Sequence, residues 1–501
     1  MFTNITKKRT LATLIAVVLM LSAMLVSCGE KKIEDPAELF KYAEMKSLDA
    51  GLAIFADAYD EYLSNVNTTK AQGSATSIDI NVSEEALGIL ELLAKMDLSW
   101  LSNIGIDNEL YLDKESFTCD ISLLLGESRL ANLQMLMNKT DSSIYFAIPE
   151  VLTKAVKIVG DTSDVSLDLI ADLPSGDTLT ALVKKYVGIF VSGIEKVEKS
   201  DGAITANGIT ESCTVVKATL TAASAANIMK QMIETAKVDT ELKELIIKLG
   251  DTLAQIPDAE IESGDALYGN LMEEFEWKLE DIEEYDFESV GEDEAFVITD
   301  YINSKNEIIG RAISNDTGEF IFYGTAEKDG SFCFELKVEE ETVLRGEGKN
   351  GKTINGKFII GDGVNDYAEI TLTELDEKLT KGTIDVKLLE APEIDGAEMF
   401  SAFLSVYSLR VSFDTSATKA DVTLAVMNGD NEFASISING EKKKVEKLDI
   451  PTEDVIIFDE NLDTSALMGA LDLSALIENI KNSPIPAEIV SLIELYMAMV
   501  G

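Results

Sequence analysis

The sequence predicts an α+β fold in which helices cover the concave face of one or more large, curved antiparallel sheets. Apolar residues recur at helical spacing in the first half of the 501-residue chain and again near its end. Between Phe275 and Phe458 the pattern changes to short alternating stretches, with turn signals such as Asn350-Gly351 and Asn439-Gly440 about every 8 to 12 residues. Antiparallel sheets tolerate one solvated face, and the polar positions of these stretches are strongly acidic.

The N-terminus predicts export and lipid anchoring. Lys7-Lys8-Arg9 precede an apolar run from Leu11 to Val26, which at about 16 residues is shorter than the roughly 20 that span a bilayer. The run ends in Leu25-Val26-Ser27-Cys28, which resembles the lipobox of bacterial lipoproteins. The resemblance implies cleavage before Cys28, diacylglyceryl modification of that cysteine, and anchoring on the extracytoplasmic face of the cell membrane. The alternative is an ordinary secretory signal that contains a cysteine.

The first elements after the signal follow from local patterns. A helical pattern covers 37–65, where Asp35-Pro36 supplies a cap, and Gly51 leaves open whether the run is one helix or two. The next stretches read as a strand over 77–83 and a helix over 84–96. Short polar turns then separate four strand patterns, which predict antiparallel hairpins: 106–112, 117–125, 130–137 and 143–148.

Helices dominate the next part of the prediction. Helical spacing covers 178–198 and 222–249, the second with a joint near Asp239, and Asn207-Gly208 predicts a hairpin within 204–220. After the strand-rich region come two closing helices, 462–480 and 485–500, with a break at Ser483-Pro484-Ile485-Pro486.

This order predicts five segments in the chain. They are a signal peptide over 1–27, a lipidated tether over 28–36, a helix-rich α+β unit over 37–250, an antiparallel meander over 251–460 and C-terminal helices over 461–501. The last three are alternatively one intertwined domain. The arrangement resembles the half-barrel of the bacterial lipoprotein-carrier superfamily of LolA- and LppX-like lipid-binding proteins. The passage 213–220 with its following helix 225–236 is similar to one in uncharacterised clostridial lipoproteins, which have no assigned activity.

Composition excludes several function classes. A formal charge of −48 argues against a nucleic-acid partner, because phosphate neutralisation needs clustered Lys and Arg. The chain has no histidine, so the commonest general base and the Ser-His and Cys-His nucleophile systems are absent. After Cys28, three scattered cysteines remain, Cys119, Cys213 and Cys333, and two of them could form one disulfide. The alternating pattern around Cys119 predicts a buried core thiol.

The catalytic motifs have simpler interpretations. Ser416-Ala417-Thr418-Lys419 matches the S-x-x-K of serine acyl enzymes, but it lies between two strand patterns and predicts a polar hairpin turn. The acidic residues of 273–288 predict a solvated face rather than the carboxylate pair of a glycosidase. We therefore predict that the protein is not an enzyme.

Calcium is the only cofactor for which the sequence offers candidate ligands. Asp362, Asp366 and Asp430 lie in turns rich in Asn, Asp and Gly, as calcium ligands do. The same residues are also what any hairpin turn uses, and this alternative means no cofactor.

The sequence thus predicts a non-enzymatic binding protein of the cell envelope. Apolar helices such as 87–93 and 242–253 would line a site for a lipid or other apolar ligand, unless they only fill a dry core. The alternative function is a structural or adhesion module that binds protein partners at the cell surface.

Overall fold

The computed structural model describes residues 33–66, 71–113, 115–138, 143–159, 173–254, 263–284, 296–315, 320–328, 330–349, 351–376, 378–389, 406–458 and 464–500. Their contacts separate into two compact units. Unit 1 comprises the described residues within Met1–Asn65, Asp172–Leu379 and Val386–Ile394, and unit 2 those within Val66–Ala171, Thr380–Asp385 and Asp395–Gly501. These bounds cut across the predicted segments 37–250 and 251–460, because strands far apart in the chain pair with each other.

The described elements form an α+β fold built on antiparallel strand pairing. The helices are α1 (Pro36–Val66), α2 (Glu84–Ala94), α3 (Gly176–Ser192), α4 (Ala222–Val238), α5 (Thr240–Leu253), α6 (Gly264–Glu284), α7 (Thr464–Ala470), α8 (Ser474–Lys481) and α9 (Ala487–Val500). The strands are β1 (Gln72–Val82), β2 (Asn103–Leu112), β3 (Ser116–Leu125), β4 (Ser128–Asn138), β5 (Ser143–Ala147), β6 (Val156–Val159), β7 (Lys196–Ala206), β8 (Ile209–Leu220), β9 (Phe296–Ile302), β10 (Ile308–Ser314), β11 (Phe320–Lys328), β12 (Ser331–Val338), β13 (Glu341–Lys349), β14 (Ile354–Gly361), β15 (Asp366–Leu375), β16 (Lys381–Leu388), β17 (Tyr407–Thr415), β18 (Lys419–Asn428), β19 (Asn431–Lys442) and β20 (Ile456–Phe458). None of these described helices is long and apolar enough to cross a bilayer.

The strands of unit 1 pair in chain order from β7 to β15, each antiparallel to the next. Helix α1 packs against them, with Leu39 and Phe40 buried in one cluster with Val216 of β8 and Ile302 of β9. The predicted cap of this helix is confirmed, because the Asp35 carboxylate accepts a hydrogen bond from the Glu38 amide at 2.9 Å.

Unit 2 brings early and late strands of the chain together in one sheet. Its strands pair in the order β17-β18-β19-β1-β2-β3-β4-β5-β6-β20. Only the short β6–β20 pair among these is parallel. Strand β1 lies between β2, its neighbour in the chain, and β19, which comes more than 350 residues later. This long-range pairing places early and late residues side by side on each face of the sheet.

Most of the predicted elements are confirmed, and three details differ. The question left open at Gly51 is answered by helix α1, which runs through this residue without a break, since one glycine costs only about 1 kcal/mol in a helix. Helix α3 ends at Ser192 rather than 198, because Lys196 begins a strand that pairs with β8. Residues 275–284, predicted as strand, belong to α6, whose apolar residues recur at helical spacing.

The first closing helix is also shorter than predicted. The run 462–480 divides into α7 and α8, because Leu471 forms a bridge with Leu152 and the Asp472 amide donates to the Val151 carbonyl at 2.9 Å. The Asp472 carboxylate then accepts from the Ser474 amide at 3.0 Å, at the start of α8.

Candidate binding face

One side of the unit 2 sheet is apolar and only partly covered. Successive residues of a strand point to opposite faces, so residues directly opposite each other in neighbouring strands share a face. We call this side the apolar face; its members are Val422, Ile438, Ile78 and Ile106 in one row, Leu424, Ile436, Ile80 and Ile104 in the next, and Leu409 and Leu123 on the flanking strands β17 and β3. With about 4.8 Å between strands, the six strands span about 24 Å.

Several side chains of the apolar face are exposed in the part of the chain that the structure describes. Leu424 is 41% exposed and Ile438 is 42% exposed, although both lie in the middle of paired strands. Leu409, Leu123 and Ile436 are exposed to a similar degree. A contiguous apolar surface of this kind marks an interaction site far more than isolated exposed side chains do.

Turn chemistry positions the strands that form this face. Gly429 has a φ of +60° in the turn between β18 and β19, a conformation that favours glycine. At the turn between β17 and β18, the Ser416 amide donates to the Lys419 carbonyl at 2.6 Å. The S-x-x-K match is therefore an exposed hairpin turn, as predicted, and it does not place Lys419 one helical turn from Ser416.

The opposite side of the same strands is polar. Asp421, Asn439, Ser77 and Asp107 lie side by side across β18, β19, β1 and β2. This row contributes to an open cleft of about 290 Å³, lined mainly by carboxylates, amides, hydroxyls and two lysines. The lysines are already paired: Lys419 with Asp421, and Lys443 with Glu109 at 2.7 Å. At these positions the sheet therefore has one polar side and one apolar side.

The three described cysteines are free thiols, so the one disulfide that the sequence allowed does not form among them. Cys119 is 6% exposed, which confirms the predicted buried thiol, and its Sγ donates to Asn108 Oδ1 at 3.2 Å. Burial raises the pKa of Cys119, Cys213 and Cys333, and a neighbouring carboxylate raises each further. Such thiols are poor nucleophiles at neutral pH.

The Asp362 side chain makes hydrogen bonds within the turn between β14 and β15. Its carboxylate accepts hydrogen bonds from the Tyr367 hydroxyl and from the amides of Val364 and Asn365, the last two at 3.0 and 2.7 Å. These bonds, led by the one from Tyr367, hold the pKa of Asp362 well below its ordinary value. The carboxylate therefore has an internal role that needs no cation.

The other two candidate calcium ligands lie elsewhere. Asp366 accepts two hydrogen bonds from Arg345 Nη2, at 2.8 and 3.0 Å. Asp430 is exposed in the turn between β18 and β19, in the other unit. Within the described ranges, no group of three or more acidic or cysteine side chains is placed to hold a metal ion. Cys28, the predicted lipidation site, lies outside the described residues.

Sequence reasoning missed a buried charge network beneath α1. Arg311 of β10 donates from Nε to Asp300 of β9 at 2.7 Å and lies 2.6 Å through Nη2 from Glu44 of α1. Asp300 is fully buried, and its Oδ2 has no hydrogen-bond partner. Burial raises the pKa of Asp300 against the attraction of Arg311. The alternation Ile298-x-Asp300-x-Ile302 was the available signal, since it puts a carboxylate among core positions.

Comparison with known proteins adds little to these observations. No protein-family model and no curated protein matches the chain. Among solved structures, a Transferrin Binding Protein B (TbpB) mutant from Haemophilus parasuis is similar at 9% identity and a TM-score of 0.13, covering 75% of this chain and 77% of that one. Intact Ap-TbpB, with its N and C lobes, is similar at 8% identity and a TM-score of 0.12, with the same coverage. Scores this low carry no argument about fold or function.

Proposed function

We propose that the protein is a non-enzymatic lipoprotein, anchored through Cys28 on the extracytoplasmic face of the cell membrane, that binds a lipid or other apolar ligand. The observation that carries the proposal is the open apolar face of unit 2. In this proposal helices of the unit cover the ligand, as they cover the sheet in the half-barrel carriers that the sequence resembles.

The free energy that a ligand would gain by covering the apolar face suits reversible binding. Fully burying a Leu or Ile side chain is worth about 1.5 to 3 kcal/mol. The side chains of the apolar face that are about two-fifths exposed would therefore each gain roughly 1 kcal/mol when a ligand covers them. Five such residues supply roughly 5 kcal/mol before the cost of immobilising the ligand, enough for a carrier that also releases its cargo.

The chemistry of the described residues supports binding rather than catalysis. The thiols have raised pKa values, and Lys419 and Lys443 are paired with carboxylates. The residues of the apolar face carry no functional group that could donate or accept a proton.

The alternative function is a structural or adhesion module whose apolar face binds a partner protein. The openness of this face favours it, because a surface that spans six strands has the width of a protein interface rather than of a closed lipid pocket. Both functions use the same residues, so the test must identify what is bound.

Native mass spectrometry of residues 30–501 purified from a bacterial host, with organic extraction alongside, separates the two functions. Without Cys28 this chain carries no acyl group of its own, so a stoichiometric lipid-sized adduct would be ligand. We expect such an adduct, and we expect the double variant Ile436→Thr, Ile438→Thr to lose most of it. The control, Ser437→Thr with Asn439→Thr, changes the opposite face of the same strand and should keep the adduct.

A bare mass, with extracts no richer in lipid than those of a control protein, would overturn the lipid proposal. An adduct that both double variants retain equally would instead place the ligand away from the apolar face. Threonine is used because it keeps the β-branched shape that strands favour.

A further inference from the structure

We infer that the outer face of α6 is a docking surface for a basic segment of a partner protein, held by Trp277 and the carboxylates around it. Helix α6 belongs to unit 1 and packs against α4 and α5. Its apolar side consists of Tyr268, Leu271, Met272, Phe275, Leu279 and Ile282, all partly buried. Trp277 falls on the opposite side of the helix, and its side chain is exposed.

Trp277 stands in the middle of an acidic ring. It is 71% exposed, more than any other aromatic side chain among the described residues. Glu273 precedes it by one helical turn, and Glu280 and Asp281 follow it by one turn, so all three surround the indole on the same face. Each of these carboxylates is exposed, and none has a cationic partner among the described residues.

Acidic residues on the flank of the same helix, unlike those around Trp277, form ion pairs with lysines of α4. Glu276 pairs with Lys237 of α4 at 3.1 Å, and Glu283 pairs with Lys230 of α4 at 2.8 Å. The hydrogen bond and charge of Glu283 raise the pKa of Lys230. Acidic residues at the helix–helix boundary are therefore neutralised within the fold, whereas those around Trp277 are left for another molecule.

The chemistry of this face selects cations. The face of an indole ring attracts an ammonium or guanidinium group, and surrounding carboxylates attract the same charge. An arginine side chain can stack on the indole ring and donate two parallel hydrogen bonds to a carboxylate. Anionic lipid and nucleic acid would be repelled by a chain with a net charge of −48. Tryptophan is also among the residues that most often dominate protein interfaces.

The spacing suits an extended basic peptide. Successive turns of a helix lie about 5.4 Å apart, and alternate residues of an extended strand lie about 6.8 Å apart. A segment with arginine at every second position can therefore place one guanidinium near Glu273, one over Trp277 and one near Glu280 or Asp281. A single solvated acidic face, the simpler interpretation, does not require the large apolar ring at its centre.

The test uses residues 30–501 with Trp100→Phe, so that fluorescence reports Trp277 alone. The probe is an amidated peptide of alternating arginine and glycine, compared with a peptide in which citrulline replaces arginine. We expect saturable quenching or a spectral shift with the arginine peptide and none with the citrulline peptide. In calorimetry on the chain that retains Trp100, Trp277→Ala should weaken binding about tenfold.

A matched pair of charge variants separates docking from general attraction to an acidic protein. Glu273→Gln with Asp281→Asn should weaken binding several-fold, whereas Glu339→Gln with Glu340→Gln, on the exposed turn between β12 and β13, should leave it nearly unchanged. Equal losses in the two pairs, or unchanged affinity in Trp277→Ala, would overturn the inference. Binding of amino-sugar oligomers in the absence of peptide binding would also overturn it, by assigning the face to a carbohydrate.

Discussion

At the residue scale, Asp239 shows how one buried carboxylate holds two helices together. It caps α5, accepting hydrogen bonds at Oδ1 from the amides of Glu241 and Leu242 at 3.1 and 3.3 Å. Its Oδ2 accepts from Lys185 Nζ at 2.7 Å and from the Tyr186 hydroxyl at 2.9 Å, both on α3. Burial by itself raises the pKa of Asp239, but these hydrogen bonds outweigh it and lower the pKa below its ordinary value.

The variant Asp239→Asn should reduce the free energy of unfolding by about 1.5 to 3 kcal/mol at pH 7, because asparagine still caps the helix but loses the charged hydrogen bonds. A lowered folded-state pKa gives stability that is present above the unfolded-state value of about 4 and is lost as the pH falls through the folded-state value. The deficit of the variant should therefore shrink below pH 4. Urea unfolding followed by circular dichroism at pH 7 and at lower pH measures it.

The control for this pH dependence is Asp57→Asn, which removes an exposed carboxylate from α1. Its free energy of unfolding should stay within about 0.5 kcal/mol of the unmodified protein, as is usual for surface substitutions. A deficit of Asp239→Asn that is equal at both pH values would show that the charge of Asp239 does not stabilise the fold.

At the element scale, two glycines of α6 differ in what surrounds them. A Cβ on Gly264 would lie 1.9 Å from the carbonyl oxygen of Ile247 on α5, so this contact between helices excludes any side chain. A Cβ on Gly269 would meet no atom within 4 Å. The close approach also involves Gly250 of α5, whose Cβ would lie 2.5 Å from the Gly264 Cα.

We expect opposite effects from the same substitution at these two positions. Gly264→Ala should lower the free energy of unfolding by about 1 to 3 kcal/mol, because backbone atoms must move apart. Gly269→Ala should raise it by about 0.5 to 1 kcal/mol, because alanine is the better helix former and the space is open. Thermal unfolding of both variants measures the difference. Similar effects at the two positions would contradict the observed packing of α5 on α6.

Local patterns predicted the type of most elements, since helical spacing, alternation and turn residues act within about a dozen positions. The errors fall where another element intervened. Helix α3 stops early because residues that could continue it pair with β8, and 462–480 breaks where Leu471 meets Leu152. The strand prediction over 275–284 failed because dense acidic residues hid the helical spacing of Phe275, Leu279 and Ile282.

At the scale of the whole molecule, the anchor is the feature that the sequence alone predicts and that lies outside the described residues. Cys28→Ala should leave the protein without acyl label and shift it from the membrane to the soluble fraction, because each buried methylene of an acyl chain contributes about 0.8 kcal/mol. Metabolic labelling with a fatty acid and cell fractionation measure both effects. Cys119→Ala is the control and should remain labelled and membrane-bound. A Cys28→Ala protein that keeps its label would disprove lipidation at that position.

The sequence by itself determined the type of most elements, their turns and the absence of histidine-based chemistry. It also supplied the alternation Ile436-x-Ile438, which indicates one apolar and one polar side for β19. Tertiary structure alone decided that β19 pairs with β1, that the apolar side stays partly open, and that Trp277 lies opposite the packed side of α6. The physical reason is that periodicity is local, whereas exposure depends on which distant residues cover a surface, and no local pattern records them.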